Sequence, residues 1–436
     1  MKKICFVGAG STIFAKNVLG DCILTPELGE FIIYLYDIDP VRLEDSRMML
    51  ENINKKYSGK AHIYATLNRK EALKDADFVV NAIQVGGYEP CTVIDFEIPK
   101  KYKLRQTIAD TLGIGGIFRT LRTIPVLEEI CGDMKEVCPD ALLINYANPM
   151  AMLCGYIQRY LWPNTVGLCH SVQCCADGIL ETLSMDEYRN NCKWKIAGIN
   201  HQAWLLEITD MDGNDLYPEI KRRSLSGNHT ERMHWDLVRH DMMHRFGYYI
   251  TESSEHTSEY TPWYIKDRYP ELIEKYKIPL DEYPRRCIKQ INDWKEMREK
   301  LVSSDIEHVK SNEFACGIIN AIVNDVPYKM HGNVLNKGLI TNLPYDSCVE
   351  VLCFVDKEGI HPTYVGNLPE QCASINRTNI NVQNMTILAA REKRKDLVYM
   401  AAYLDPHTSS ELSMDDIKSL CDDLFEAHKD WLPEYK

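Results

Sequence analysis

The sequence predicts an α/β fold: a doubly wound parallel sheet, followed by a second region of mixed helices and strands. Three observations predict it. Short apolar runs alternate with helical patterns from residue 4 to residue 149. Each run ends in Gly, Asp or Asn. Near residue 195 the alternation gives way to two-residue turn signals among strand-like and helical pieces.

The elements follow in order. Residues 4–7 (ICFV) form an apolar run ending in Gly8-Ala9-Gly10-Ser11, and Ile13, Phe14, Val18 and Leu19 mark the helix after it. A second run, 31–36, ends in Asp37-Ile38-Asp39-Pro40. Pro40 suits the first turn of a helix over 41–57. A strand at 62–67, a helix at 70–76 and a strand at 78–83 lead to Gln84-Val85-Gly86-Gly87. Gly115-Gly116 precedes a long helix through Val137, and the strand 142–146 ends at Asn148-Pro149. Beyond it, Asp212-Gly213, Lys337-Gly338 and Glu358-Gly359 mark turns of an α+β region. We place the boundary between 1–195 and 196–436.

Composition excludes several partners. The formal net charge of -13 disfavours nucleic-acid backbones and anionic membranes. The doublets Arg222-Arg223 and Arg285-Arg286 are too short to overturn that. No run reaches the roughly 18 apolar residues that span a bilayer. The start, Met1-Lys2-Lys3 and then ICFV, resembles a leader, but Gly8 and Gly10 interrupt it, so it reads as the first strand. The 16 cysteines contain no C-x-x-C pair, and Cys174-Cys175 reads as structural or incidental. Reduced thiols in a cytoplasmic enzyme are the expectation.

Gly8-Ala9-Gly10-Ser11 lies between a strand and a helix, where glycine lets the backbone approach a pyrophosphate. Ile13 stands where a third glycine completes the fingerprint. Asp37 ends the second strand, where a carboxylate accepts the ribose hydroxyls of NAD and repels the extra phosphate of NADP. The first region is therefore Rossmann-like and expected to bind NAD.

Cys169 and His201 each follow a short apolar run. A thiolate and a neutral imidazole suit a divalent transition metal. Spacing alone favours a buried thiol and a core histidine. Residues 251–263 crowd Glu255, His256, Glu259 and Tyr260 beside aromatics, with Pro262 ending any helix. Such a segment suits a sugar pocket and equally a solvated loop.

In order and spacing these motifs resemble glycoside hydrolase family 4. The residues that carry the likeness are Gly8 to Ser11 with Asp37-Ile38-Asp39, 108–113 (IADTLG) with Gly115-Gly116, and 145–149 (NYANP). They continue in 167–171 (GLCHS), 198–201 (GINH), Gly332-Asn333, 342–344 (NLP) and 349–351 (VEV). Residues 82–90, 169–173, 254–256 and 260–263 look like the α-galactosidase (melibiase) branch.

The resemblance implies a first domain similar to lactate and malate dehydrogenases, and a second that holds substrate, metal and subunit contacts. It implies hydrolysis of terminal α-galactosides. NAD oxidises carbon 3, a base removes the carbon 2 proton, the leaving group is eliminated, water adds and the hydride returns. It makes Cys169 and His201 ligands of Mn or another divalent metal, and brings Asn148 to the substrate. Tyr260 is the candidate base, with Asp110, Glu259 and His256 as rivals, and the acid lies between His170 and Asp110. Homodimers or homotetramers are implied as well. The alternatives are another family 4 glycosidase (an α-galacturonidase, α-glucosidase or 6-phospho-glycosidase) or a plain NAD-dependent dehydrogenase. A phosphorylated sugar needs basic residues at carbon 6, and Arg285 and Arg286 are candidates.

Overall fold

The computed structural model describes residues 1–226, 235–303 and 306–436. Its first strands are β1 (Lys2–Val7), β2 (Phe31–Tyr36), β3 (Ala61–Thr66), β4 (Phe78–Asn81), β5 (Leu142–Asn145) and β6 (Thr165–Gly167). They pair in parallel in the order β3-β2-β1-β4-β5-β6, the order of doubly wound dinucleotide folds. Every strand expected before residue 150 is present, within two residues at each end.

The sheet continues beyond β6. The later strands are β7 (Cys192–Ile199), β8 (Gln202–Asp210), β9 (Tyr249–Ile250), β10 (Tyr328–Leu335), β11 (Cys348–Asp356) and β12 (Gly359–Pro362). They extend it as β6-β10-β11-β7-β8-β9, with β12 beside β11, all in antiparallel pairs. Residue 195 falls inside β7, so one sheet spans both halves of the chain.

Alternation along β1 explains the two core layers. Ile4 and Phe6 face one cluster, which also takes Ile33, Leu35 and Val80. Cys5 and Val7 face the other, under Phe118, Leu121 and Ile124 of the helix Gly113–Val137. Both faces of the inner parallel strands β1, β4 and β5 are covered, which is why they read as continuous apolar runs.

Gly115 and Gly116 lie in the first turn of that helix and not before it. A Cβ on Gly115 would stand 2.4 Å from the Ala109 carbonyl oxygen, and one on Gly116 2.8 Å from the Thr111 carbonyl carbon. The two glycines thus let the helix seat directly on the loop that carries Asp110.

One transverse row crosses the sheet near the strand ends. Val7, Asn81, Asn145, Gly167, Asn333, Glu350 and Gly198 are successive register partners. Asn81 donates to Asn145 at 2.8 Å, and Asn333 donates to Glu350 at 3.2 Å.

Candidate active site

Cys169 lies two residues beyond β6, His201 in the connection from β7 to β8, and Glu252 two residues beyond β9. Asn200-His201 is a two-residue hairpin connection, with His201 in the left-handed region (φ 62°). Glu252 is also left-handed (φ 68°). A side chain there costs about 1–3 kcal/mol, so the fold holds both residues in strained backbone.

The three side chains converge. Cys169 Sγ is 3.2 Å from His201 Nε2, and Glu252 Oε2 is 3.7 Å from the same nitrogen. All three ligand atoms lie within 4.8 Å of one another. That spacing fits one cation with bonds of roughly 2.0–2.6 Å, and a thiolate, an imidazole and a carboxylate suit a divalent transition metal. The electrostatics agree. Burial alone would lower the pKa of His201, but Cys169 and then Glu252 and Asp110 push it up to about 10. Burial likewise pushes Glu252 up, yet His201 and His256, then Arg239 and Arg286, hold it below the ordinary value. Positive charge is favoured at this point.

His256, buried on the helix Ser254–Glu259, closes one side. Its ring meets that of His201 edge-on at 4.4 Å between centroids. Its Nδ1 lies 3.7 Å from Glu252 and its Nε2 3.9 Å from Asp110. Burial, then the charge on His201, lowers its pKa to about 4, so it is neutral at pH 7.

Asp110 accepts a hydrogen bond from the Thr111 hydroxyl at 2.7 Å and from Asn148 Nδ2 at 3.5 Å. Pro149 occupies the cap of the helix Met150–Tyr156, and Asn148 turns to Asp110. Arg119 donates to the Asn148 carbonyl at 3.2 Å and to the Tyr283 hydroxyl at 3.3 Å. Glu259 accepts from the backbone N–H of Thr107 at 2.6 Å, Ile108 at 3.2 Å and Ala109 at 3.0 Å. These bonds make Glu259 a clamp on the Asp110 loop.

Tyr260 is buried. Burial, then the charges of Asp110 and Cys169, pushes its pKa well above the ordinary value. His170 is half-buried at the edge of the cluster, with Nε2 3.0 Å from Glu313 and its ring 5.8 Å from Phe314.

At the other end of the strand edge, the Gly8 and Ala9 amides donate to the Tyr36 carbonyl, each at 3.0 Å. Gly10 donates to Asp37 at 2.6 Å. A Cβ on Gly8 (φ 90°) would strike the Ala82 backbone at 2.8 Å, and one on Gly10 the Asp37 carboxylate at 2.7 Å. No side chain caps the helix Thr12–Ile23, so its first N–H groups stay open to an anion. This cradle fits a dinucleotide.

Two family models match the chain, for family 4 glycosyl hydrolases over residues 3–185 and for their C-terminal domain over 196–408. The α-galactosidase of Bacillus subtilis (strain 168) is 59% identical, covering 100% of both chains. An α-galactosidase of Rhizobium meliloti (strain 1021) is 33% identical over 99% of this chain and 89% of that one. A 6-phospho-α-glucosidase from gut microorganisms, solved with NAD and Mn2+, superposes with a TM-score of 0.79 at 21% identity, covering 100% of both.

The chain belongs to the family 4 glycosyl hydrolases.

Within this family 4 chain, sequence reasoning named Cys169, His201, His256, Asp110, Asn148 and Tyr260, and the fold gathers them. His170 sits at the rim, and Gly8, Gly10, Ser11 and Asp37 form the separate nucleotide turn. Glu252 was missed, although it stands inside the segment 251–263; its strand, β9, has two residues and leaves no period. Glu313 was missed too. Arg285 and Arg286 both carry carboxylate partners: Glu282 for each, and Glu255 for Arg286.

Proposed function

We propose that this chain hydrolyses terminal α-galactosides, with NAD and a divalent metal such as Mn as resident cofactors. One observation carries the reading. The cluster of Cys169, His201 and Glu252, walled by Asp110 and His256, lies in a chain 59% identical end to end to a named α-galactosidase.

When bound, NAD supplies a reversible hydride acceptor for carbon 3, and the metal supplies Lewis acidity toward the neighbouring hydroxyls. The protein does the rest. Cys169, His201 and Glu252 hold the metal. Gly8, Gly10 and Ser11 cradle the pyrophosphate, and Asp37 exchanges its bond to Gly10 for the ribose. Asn148, fixed between Arg119 and Asp110, orients a sugar hydroxyl. Tyr260 takes the carbon 2 proton, in surroundings that favour its phenolate only when a cation offsets Cys169 and Asp110. His170, held by Glu313, protonates the leaving oxygen, with Asp110 as the second choice. Residues 1–195 carry the nucleotide, and 196–436 supply two of the three metal ligands, Tyr260 and the subunit contacts, in a cytoplasmic homodimer or homotetramer.

Hydrolysis of p-nitrophenyl α-galactoside, with NAD and Mn omitted singly under reducing conditions, tests the reading. Nitrophenol appears only when both are present, and no net NADH accumulates. Accumulating NADH would point to a plain dehydrogenase. Tyr260→Phe slows solvent deuterium exchange at carbon 2 by about a hundredfold or more, the usual range for a lost general base. An unchanged exchange rate removes Tyr260 from the role.

A further inference from the structure

Arg285 and Arg286 stand at the start of the helix Glu282–Leu301. Asp281 and Tyr283 donate backbone N–H groups to the carbonyls of Gln106 and Thr107 at 2.9 and 3.0 Å. This end of the helix is therefore fastened to the loop carrying Asp110. Arg286 Nη2 is 3.0 Å from Glu255 Oε1, and Arg286 Nε is 2.9 Å from Glu282 Oε1. Arg285 Nη2 is 2.8 Å from the other oxygen of Glu282. Two guanidinium groups thus face two carboxylates.

The two members of the Glu255–Arg286 pair differ in environment. Glu255 is 1% exposed, while the Arg286 side chain is 37% exposed and lies 5.5 Å from the Trp235 ring. Glu255 precedes His256 on one helix turn, and its Oε2 has no hydrogen-bond partner among the described residues. Arg286 is among the charges that reach both Glu252 and His256. The pair therefore joins the buried wall of the metal cluster to its open rim.

We infer that Glu255 and Arg286 set the charge of the sugar this site takes: with Glu282, Glu255 cancels a guanidinium beside the metal cluster, so the cleft accepts a neutral hexoside and turns away one with a phosphate or carboxylate on carbon 6. The inference rests on the α-galactoside reading. An anion binds a guanidinium well when the planar fork is free to meet two of its oxygens. Here Nε and Nη2 of Arg286 are engaged by Glu282 and Glu255. An anion that takes over Nη2 would leave the charge of Glu255 buried and unpaired.

The experiment uses the holoenzyme with NAD and Mn. The inhibition constants of galactose and of galactose 6-phosphate are measured for the wild type and for Glu255→Gln. The ratio of the two constants moves toward galactose 6-phosphate by roughly tenfold or more, the worth of one charge-assisted hydrogen bond. The double variant Glu255→Gln/Arg286→Gln returns it to the wild-type value. A purely structural role would weaken both ligands alike and leave the ratio unmoved, which overturns the inference. Should Glu255→Gln fail to fold, Glu282→Gln carries the same expectation and the same refutation. Wild type without turnover of the neutral p-nitrophenyl galactoside sinks the α-galactoside reading itself, a result distinct from an unmoved ratio.

Discussion

His170 leans on Glu313, and that contact gives the reaction a pH signature. The Glu313 carboxylate, 3.0 Å from His170 Nε2, raises the pKa of His170 above its ordinary value, against a smaller opposing effect of burial. The protonated ring therefore persists to higher pH in the folded enzyme, and the acid is lost only as pH rises through the raised value. Glu313→Gln removes the negative partner, so the alkaline limb of kcat moves to lower pH. A limb that stays in place would exclude His170 as the acid. The pair's stabilising contribution follows the same sign, present below about 6.5 and lost above the raised value, and it is small because the His170 side chain is partly open to solvent. At Glu350 stability also falls as pH rises, but for a different reason. This side chain is fully buried, and burial pushes its pKa up to about 7. The unfolded carboxyl ionises first, so stability falls as pH rises from about 4.5 to 7. In metal-stripped protein at pH 8, Glu350→Gln is more stable by on the order of 3 kcal/mol, read from chemical denaturation. No gain would mean that Glu350 is charged at no cost. Cys169→Ser loses bound metal and activity together, since a hydroxyl is a poor substitute for a thiolate. Normal turnover with stoichiometric metal would refute the ligand assignment.

The loop bearing Asp110 is held from two sides, by three bonds to Glu259 and by the glycine-bearing first turn of the helix Gly113–Val137. Helix propensity alone says that Gly115→Ala stabilises by about 1 kcal/mol. The Ala109 carbonyl, 2.4 Å from the new methyl group, reverses the sign. Gly115→Ala lowers both the melting temperature and kcat, and a raised melting temperature would contradict the close packing. The elements that can be read from sequence are those with local causes. The runs in β1, β2, β4 and β5 are apolar on both faces, and Gly8, Asp37, Ile83 onward to Gly86, and Asn148 punctuate them. The metal cluster is harder to read because its cause is not local. Glu252 follows a strand of two residues, and its meeting with Cys169 and His201 depends on β10 and β11, which arrive far later in the chain. His201 carried a readable sign: an Asn-His pair between two alternating strands, where Asn-Gly would be the easy choice.

At the scale of the molecule, the ligands come from both halves of the chain, and one sheet joins those halves. Metal binding and folding are therefore linked. Adding Mn to about a hundred times its dissociation constant raises stability by about 2.7 kcal/mol, and calorimetry should show one transition moving as a unit. Two separate transitions, with only one responding to Mn, would contradict the shared site. The transverse row sets a further condition. From β6 to β7 the sheet counts three gaps, across β10 and β11, which is roughly 14 Å at about 4.8 Å each. Yet Cys169 Sγ and His201 Nε2 lie 3.2 Å apart. The segments leaving Gly167 and Ile199 must lean toward each other and close an arch over Asn333 and Glu350, both fully shut off from solvent. The width of the hairpin strands is the span of that arch, and Leu168-Cys169 on one side and Asn200-His201 on the other are its two short limbs. Deleting one residue from either limb removes about 3.3 Å of reach, more than the contact at the crown has to spare.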